Sequence, residues 1–105
     1  MPRVYKRAAA RRDLVEHYVY LAENAGEDTA DRFLRQADAT FTLLLEQPEI
    51  GVALTLRAPQ LAGLRKWRVQ EFDKFLIFYL PRPNGVSIVR CTHAAQDWWA
   101  RLGII

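Results

Sequence analysis

The residues whose types are best suited to catalysis or metal binding lie near the end of the last apolar stretch of the chain. Cys91 and His93 are two positions apart, so on a β-strand their side chains would point to the same face. Such a pair could form a nucleophile with its base, or two ligands of a metal ion. The only other histidine, His17, lies far away in the sequence, and no orienting acid is evident. We therefore expect Cys91 to be a small buried core residue, and we predict neither a metal site nor a cofactor.

A second possibility is acid–base cleavage of RNA. Attack by a 2′-hydroxyl needs a base, an acid and a cation that stabilises the transition state. His93 and Tyr79 could serve as the acid–base pair, with Arg90 as the cation. The spacing of these residues along the predicted strands does not show that they converge.

The same basic residues also have a purely structural interpretation. Arg65 and Arg68 could pair with Glu71 and Asp73, while a carboxylate holds Arg90. Charged side chains are rarely buried without a partner, so ion pairing is the commoner fate of such residues. The sequence leaves both interpretations open, with more weight on the structural one.

The C-terminal segment is aromatic and basic. Trp98 and Trp99 are adjacent, so on a helix they would diverge by about 100° and could not both face one small core. Exposed tryptophan is typical of interface anchors, which makes Trp98, Trp99 and Arg101 candidate contacts for a target. The alternative is that both tryptophans cover the loop and the sheet.

A predicted β-hairpin must position these residues. Residues 75–80 form an unbroken apolar run, which is typical of a strand covered on both faces. Pro81 is expected to end it, and Pro83-Asn84-Gly85 has strong turn chemistry. Residues 86–91 resume as a strand, so the two runs should pair antiparallel at the centre of the sheet.

Two helices are predicted before the hairpin. Ala8–Ala25 carries apolar residues at helical spacing, with Val15 widening the apolar stripe and Asp13 lying off it. Gly26 suits the helix end, where a positive φ is cheap only without a Cβ. The second helix should begin near Asp28 as its cap and run to residue 47. Helices joined by so few residues must be antiparallel neighbours lying on the sheet.

The remaining segments complete the predicted order. Residues 4–7 are a candidate short strand at a sheet edge, and residues 64–72 a further strand. Residues 48–63, rich in Pro and Gly, should form a loop held down by leucines. Residues 94–105 could form one or two helical turns. The predicted fold is α+β with the order β-α-α-β-β-β, a helical hairpin on a small, mainly antiparallel sheet, forming a single domain of residues 1–105.

Composition limits the class of protein. The chain has 105 residues, of which 50% are hydrophobic, so it can fold around one core without disulfides. A single cysteine and the absence of a secretory leader or an 18-residue apolar run indicate a cytoplasmic protein with no membrane span. The net charge of +3 permits contact with nucleic acid or an acidic protein but requires neither.

In order along the chain, these features resemble the ParE branch of the RelE/ParE superfamily of bacterial toxins. Individually loose motifs occur in the family's order over almost the whole chain. They are Ala10, Asp13-Leu14, Tyr18, Ala30-x-x-Phe33-Leu34, Leu44, Pro48-x-x-Gly51, Leu64-Arg65, Phe75-Leu76-Ile77-Phe78-Tyr79, Ile88-Val89-Arg90 and His93.

The resemblance implies a cytoplasmic type II toxin that forms a hetero-oligomer with a cognate antitoxin. ParE-like members inhibit DNA gyrase without catalysis, whereas RelE-like members cut mRNA on the ribosome with C-terminal basic residues and a tyrosine. Here the chain continues past His93 to Trp98 without that C-terminal cluster, which favours the gyrase inhibitor. The candidate contacts for gyrase are Arg65, Arg68, Arg90, Trp98, Trp99 and Arg101. For the alternative ribonuclease, the candidate catalytic residues are Arg90, His93 and Tyr79.

Overall fold

The structure, a computed structural model, describes residues 1–56 and 58–94 and has two helices packed on one five-stranded sheet. In chain order its α-helices and strands are β1 (Arg3–Lys6), α1 (Ala8–Ala25), α2 (Glu27–Glu46), β2 (Val52–Ala53), β3 (Arg65–Val69), β4 (Phe72–Arg82) and β5 (Gly85–His93), with a short 3-10 helix at Pro59–Leu61. The strands lie in the order β1-β5-β4-β3-β2. The predicted α+β class is confirmed, with one strand more than predicted.

The long β4–β5 hairpin forms the middle of the sheet, as predicted. The two strands pair antiparallel, with Ile77 opposite Cys91, and β1 lies parallel to β5 at the outer edge. Strand β4 does not end at Pro81 but continues to Arg82. Its pairing with β3 ends at Tyr79, so at Pro81 β4 has a strand neighbour only on the β5 side, and a missing N–H is tolerated.

The sheet is covered on both faces, which explains why the run at residues 75–80 has no polar alternation. Both helices pack on one face, around Phe33, Phe41, Ile77 and Ile88. The segment after β2 covers the other face with Leu61 and Leu64, which pack on β4 and β5. Two apolar layers, the helices on one face and the segment after β2 on the other, therefore bury the two faces of the sheet.

The helices follow the prediction with local corrections. The bounds of α1 are confirmed, and Gly26 has the expected positive φ of 97°. Helix α2 begins at Glu27 rather than Asp28, and no side chain caps it. Val15 was expected to widen the buried stripe, and this is wrong because its side chain is 63% exposed. On the buried side of α2, the Phe33 ring packs against the rings of Phe72 and Phe75 at 5.4 and 4.8 Å.

Two strand boundaries differ from the prediction. The segment 48–63 is not all loop, since Val52 and Ala53 pair with Lys66 and Arg65 as β2. Strand β3 ends at Val69, and Phe72 belongs to β4. A tight turn at Glu71, with φ of 67°, separates β3 from β4. Neither helix in the described part of the chain is long and apolar enough to cross a membrane.

Candidate functional site

A buried ion pair links α1 to β5. Two nitrogens of Arg90 donate to the two carboxylate oxygens of Asp13, at 2.6 and 2.8 Å. The backbone N–H of Cys91 donates to the same carboxylate at 3.0 Å. The side chains of Asp13 and Arg90 are 6% and 17% exposed, and their hydrogen bond raises the pKa of Arg90. The prediction that Asp13 lies off the buried stripe of α1 is therefore wrong.

His17 completes this contact one helical turn after Asp13. Its Nε2 lies 2.8 Å from the carbonyl oxygen of Cys91 and donates to it. Its ring packs edge-on against Phe75, and burial lowers the pKa of His17. Strand β1 pairs with β5 only as far as Ile88. Beyond Ile88, residues of α1 contact this edge of β5 instead. We call Asp13, His17 and Arg90 the edge clamp.

The pair that first suggested nucleophilic chemistry lies in the core. Cys91 is fully buried, and burial raises the pKa of its thiol to about 12. The thiol is therefore protonated at neutral pH, which removes the thiolate that a nucleophile needs. His93 is half-buried and packs edge-on against Phe75 at 5.0 Å. These positions agree with the expectation that Cys91 is a core residue.

Tyr79 and Arg65 hold the loop that follows α2. The Tyr79 hydroxyl donates to the carbonyl of Pro48 at 2.8 Å and accepts from the N–H of Gly51 at 2.9 Å. Arg65 donates to the carbonyls of Glu49 and Gly51 at 3.1 and 2.7 Å. Tyr79 is fully buried, and burial raises its pKa. We call Tyr79 and Arg65 the loop anchor.

The fit around Gly51 explains the Pro48-x-x-Gly51 motif. A Cβ at Gly51 would lie 2.5 Å from the Tyr79 hydroxyl and 3.0 Å from the carbonyl of Lys66. Only glycine lets the backbone approach the buried ring this closely. The motif is therefore a packing requirement of the loop anchor.

Arg68 is the most accessible of the predicted strand arginines. Its guanidinium lies 4.9 Å from the Trp67 ring and 3.4 Å from the Asp73 carboxylate, with its side chain 54% exposed. The predicted pairing of Arg68 with Asp73 is confirmed, as is a carboxylate for Arg90. The predicted pairing of Arg65 with Glu71 is wrong, because Arg65 is turned toward the loop after α2.

The candidate residues thus fall into separate groups. Arg90 belongs to the edge clamp, Tyr79 and Arg65 to the loop anchor, and Arg68 to the surface of β3. Trp98, Trp99 and Arg101 lie outside the described residues. Within the described ranges, no group of three or more potential ligands could hold a metal ion.

The comparison with protein families identifies the fold. The sequence model described as the ParE toxin of the type II toxin–antitoxin system parDE matches residues 4–98. The chain belongs to the ParE toxin family. It is accordingly the toxin component of a type II toxin–antitoxin system. No curated protein gave a match.

Solved structures agree with the ParE fold. A chain from the chromosomal ParDE system of P. aeruginosa superposes with a TM-score of 0.70 at 16% identity, covering 89% of this chain and 96% of that one. A chain from the YoeB–YefM toxin–antitoxin heterotetramer of Staphylococcus aureus superposes with a TM-score of 0.54, also at 16% identity, covering 89% and 97%. At such identities the likeness concerns the fold.

Sequence reasoning missed two polar residues of this ParE-family toxin, Asp13 and His17. The helical period placed Asp13 off the apolar stripe, and His17 was considered only as a metal ligand. A usable signal was present in Arg90, which sits in an otherwise apolar strand and needs a buried carboxylate. Asp13 is the acidic residue nearest to the predicted buried stripe of α1, so the pair could have been proposed from the sequence.

Proposed function

We propose that this ParE-family toxin acts in the cytoplasm by binding DNA gyrase and stopping its reaction. It does so by occupying a surface of the gyrase–DNA complex and not by catalysis. The family match over residues 4–98 carries the proposal.

The placement of two of the three residues suggested for RNA cleavage, Tyr79 and Arg90, also supports a binding mode of action. Tyr79 is buried, with its hydroxyl bonded to Pro48 and Gly51. Arg90 is neutralised by Asp13. To bind a phosphate, Tyr79 and Arg90 would have to break these hydrogen bonds. Each break would leave a buried polar group without a hydrogen-bond partner.

The surface that fits a target contact best is the outer part of β3. Strand β2 covers only the positions of Lys66 and Arg65, so among the described residues Trp67 to Val69 have no strand neighbour on that side. An exposed guanidinium stacked on a tryptophan is suited to a phosphate or a carboxylate. We assign Arg68 to the target interface together with Trp98, Trp99 and Arg101. Arg65 and Arg90 act by holding the surface in shape.

Purified gyrase tests the proposal directly. The toxin, added with ATP to relaxed plasmid, should inhibit supercoiling or leave cleaved DNA linked to the enzyme after denaturation. Arg68→Gln should weaken the effect, while Arg32→Gln, which removes an exposed arginine from α2, should not. Growth arrest in cells without any effect on gyrase would show that the target is another one.

A cognate antitoxin is the second proposed partner, with which the toxin forms a hetero-oligomer. The structural relatives come from complexes named as toxin–antitoxin systems. Helix α1 exposes Val15, Val19 and Tyr20. A groove beside them is lined by Leu14, Val15, Tyr18 and Leu34. Such an apolar stripe suits an amphipathic helix of the partner. Co-expression of a candidate antitoxin, such as any small protein encoded beside the toxin gene, should restore growth, and failure to do so would remove that protein as the antitoxin.

The alternative function is RelE-like cleavage of mRNA on the ribosome. The observation that favours it is the fold shared with the YoeB–YefM structure. Reporter mRNA translated in the presence of the toxin would then be cut, and His93→Ala would abolish the cuts while the protein stays folded. Intact mRNA during growth arrest would exclude this alternative.

A further inference from the structure

The positive charge of this chain is concentrated at its N-terminal end. Five of its 15 basic residues and none of its 12 acidic residues lie within positions 1–12. The rest of the chain therefore has ten basic against twelve acidic residues and is slightly acidic. A net charge of +3 conceals this asymmetry.

Four arginines of this segment point into solvent on two adjoining elements. Arg3 lies on β1, Arg7 follows β1 directly, and Arg11 and Arg12 lie in the first turns of α1; all four are exposed. Among the described residues none of the four forms an ion pair. We call these four residues the N-terminal arginine edge.

The nearest acidic groups neutralise little of this charge. Asp13 is buried and paired with Arg90, and Asp38 lies 3.7 Å from Lys6. Glu16 remains as the exposed carboxylate one turn after Arg12. The first turn of α1 contains no acidic residue, so the positive end of the helix dipole adds to the same field.

The geometry keeps the arginines together. Strand β1 is the outer strand of the sheet, fixed to β5 by its parallel pairing, and the Arg7 N–H bonds the carbonyl of Ile88 at 3.0 Å. The Arg11 side chain donates to the carbonyl of Lys6 at 3.4 Å, which orients it along the end of β1. An extended strand advances about 3.3 Å per residue, so Arg3 and Arg7 are separated by about 13 Å. At low salt, where screening is weak, the four like charges together form a positive field that attracts an anion.

We infer that the N-terminal arginine edge binds the phosphate backbone of duplex DNA. Duplex DNA presents about one negative charge per 1.7 Å of its axis, so a row of about 13 Å meets several phosphates. Guanidinium groups bind phosphate oxygens through paired hydrogen bonds. An acidic peptide is a poorer match, because protein interfaces have an apolar centre depleted of charge. Tyr5 is the one large apolar side chain exposed between Arg3 and Arg7, and the exposed apolar residues of α1, Val15, Val19 and Tyr20, follow the four arginines.

This inference goes beyond the proposed function and does not need gyrase. Backbone contact carries no base specificity, so it predicts binding to any duplex sequence. If gyrase is the target, the same edge would lie against the DNA that the enzyme holds. The two proposals can fail separately, because DNA binding is measured without gyrase.

The test is the salt dependence of binding of the full chain to a short fluorescent DNA duplex of mixed sequence, followed by anisotropy. Four phosphate contacts give a log–log slope of about −3.6, a loss of about 150-fold in affinity between 50 and 200 mM salt. The triple variant Arg7→Gln, Arg11→Gln, Arg12→Gln should retain a slope near −0.9 and lose only about 3-fold over the same range.

Two matched variants distinguish the effect of removing charge on DNA binding from the effect of disturbing the fold. The triple variant with lysine at the same three positions should keep most of the slope, since it keeps the charge. Lys74→Gln removes one charge from the opposite end of the β4–β5 hairpin and should leave binding unchanged. The inference is overturned if the full chain does not bind DNA at low salt, or if the glutamine triple variant binds as the wild type does. Equal binding of a poly-glutamate peptide at the same ionic strength would also overturn it.

Discussion

The edge clamp predicts that Asp13 and Arg90 are strongly coupled. Asp13→Leu removes the carboxylate that neutralises Arg90 and that accepts the Cys91 N–H. Breaking a buried ion pair from one side costs about 3–5 kcal/mol, and we expect a loss near the upper end because an N–H is stranded as well. Arg90→Met leaves the carboxylate bound to Cys91, so the expected loss is about 2–4 kcal/mol.

The double variant shows whether Asp13 and Arg90 are coupled. With Asp13→Leu and Arg90→Met together, no charge remains uncompensated and two apolar side chains fill the space. We expect the double variant to be more stable than Asp13→Leu alone, with a coupling energy of about 3 kcal/mol. Urea denaturation with linear extrapolation measures all four proteins of the cycle. Losses that simply add would refute the clamp.

The same cycle tests the role of Arg90 in toxicity. If Arg90 only holds β5 against α1, the folded double variant should still arrest growth on induction. A folded double variant that is harmless would instead show that the Arg90 guanidinium reaches the target. Circular dichroism of the purified variants confirms that both outcomes concern folded protein.

The loop anchor, His17 and the exposed face of α1 give three further predictions. Tyr79→Phe should lower the free energy of unfolding by about 1–3 kcal/mol, because the buried N–H of Gly51 loses its acceptor; an unchanged urea midpoint would contradict this. The folded-state pKa of His17 lies below 6.5, so the unfolded chain binds the proton first, and stability should fall as pH drops below about 6.5. His17→Gln, which keeps an N–H donor, should flatten that dependence of the melting temperature between pH of about 7.5 and 5.5. Val15→Asp should abolish rescue by the antitoxin, whereas Val52→Asp, at a valine of similar exposure on β2, should not; equal rescue would place the antitoxin elsewhere.

The spacing of apolar residues and the turn-forming residues sufficed to predict most of the fold. The bounds of α1, the glycine at 26 and the central hairpin are confirmed because local rules determine them. Strand β2 was missed because two residues carry no periodic pattern, and it exists only because Lys66 and Arg65 lie beside it. The prediction that Pro81 ends its strand was wrong, because a strand tolerates proline where no neighbouring strand needs the missing N–H.

The candidate site was less predictable, since it depends on which residues meet across long stretches of chain. Asp13 and Arg90 are 77 positions apart, and periodicity along α1 gives no information about that distance. The hydroxyl of Tyr79, the acid–base candidate, is buried and bonded to Pro48 and Gly51, which residue type alone could not show.

The pairing of the first strand with the last has a consequence for biosynthesis. Residues 3–6 are made about 80 residues before their partners at 85–88. Because contacts this distant in sequence close late, the nascent chain cannot complete its sheet until β5 has been made. A product truncated before Gly85 lacks the whole of β5, so prematurely terminated toxin should be unfolded and harmless to the cell that makes it.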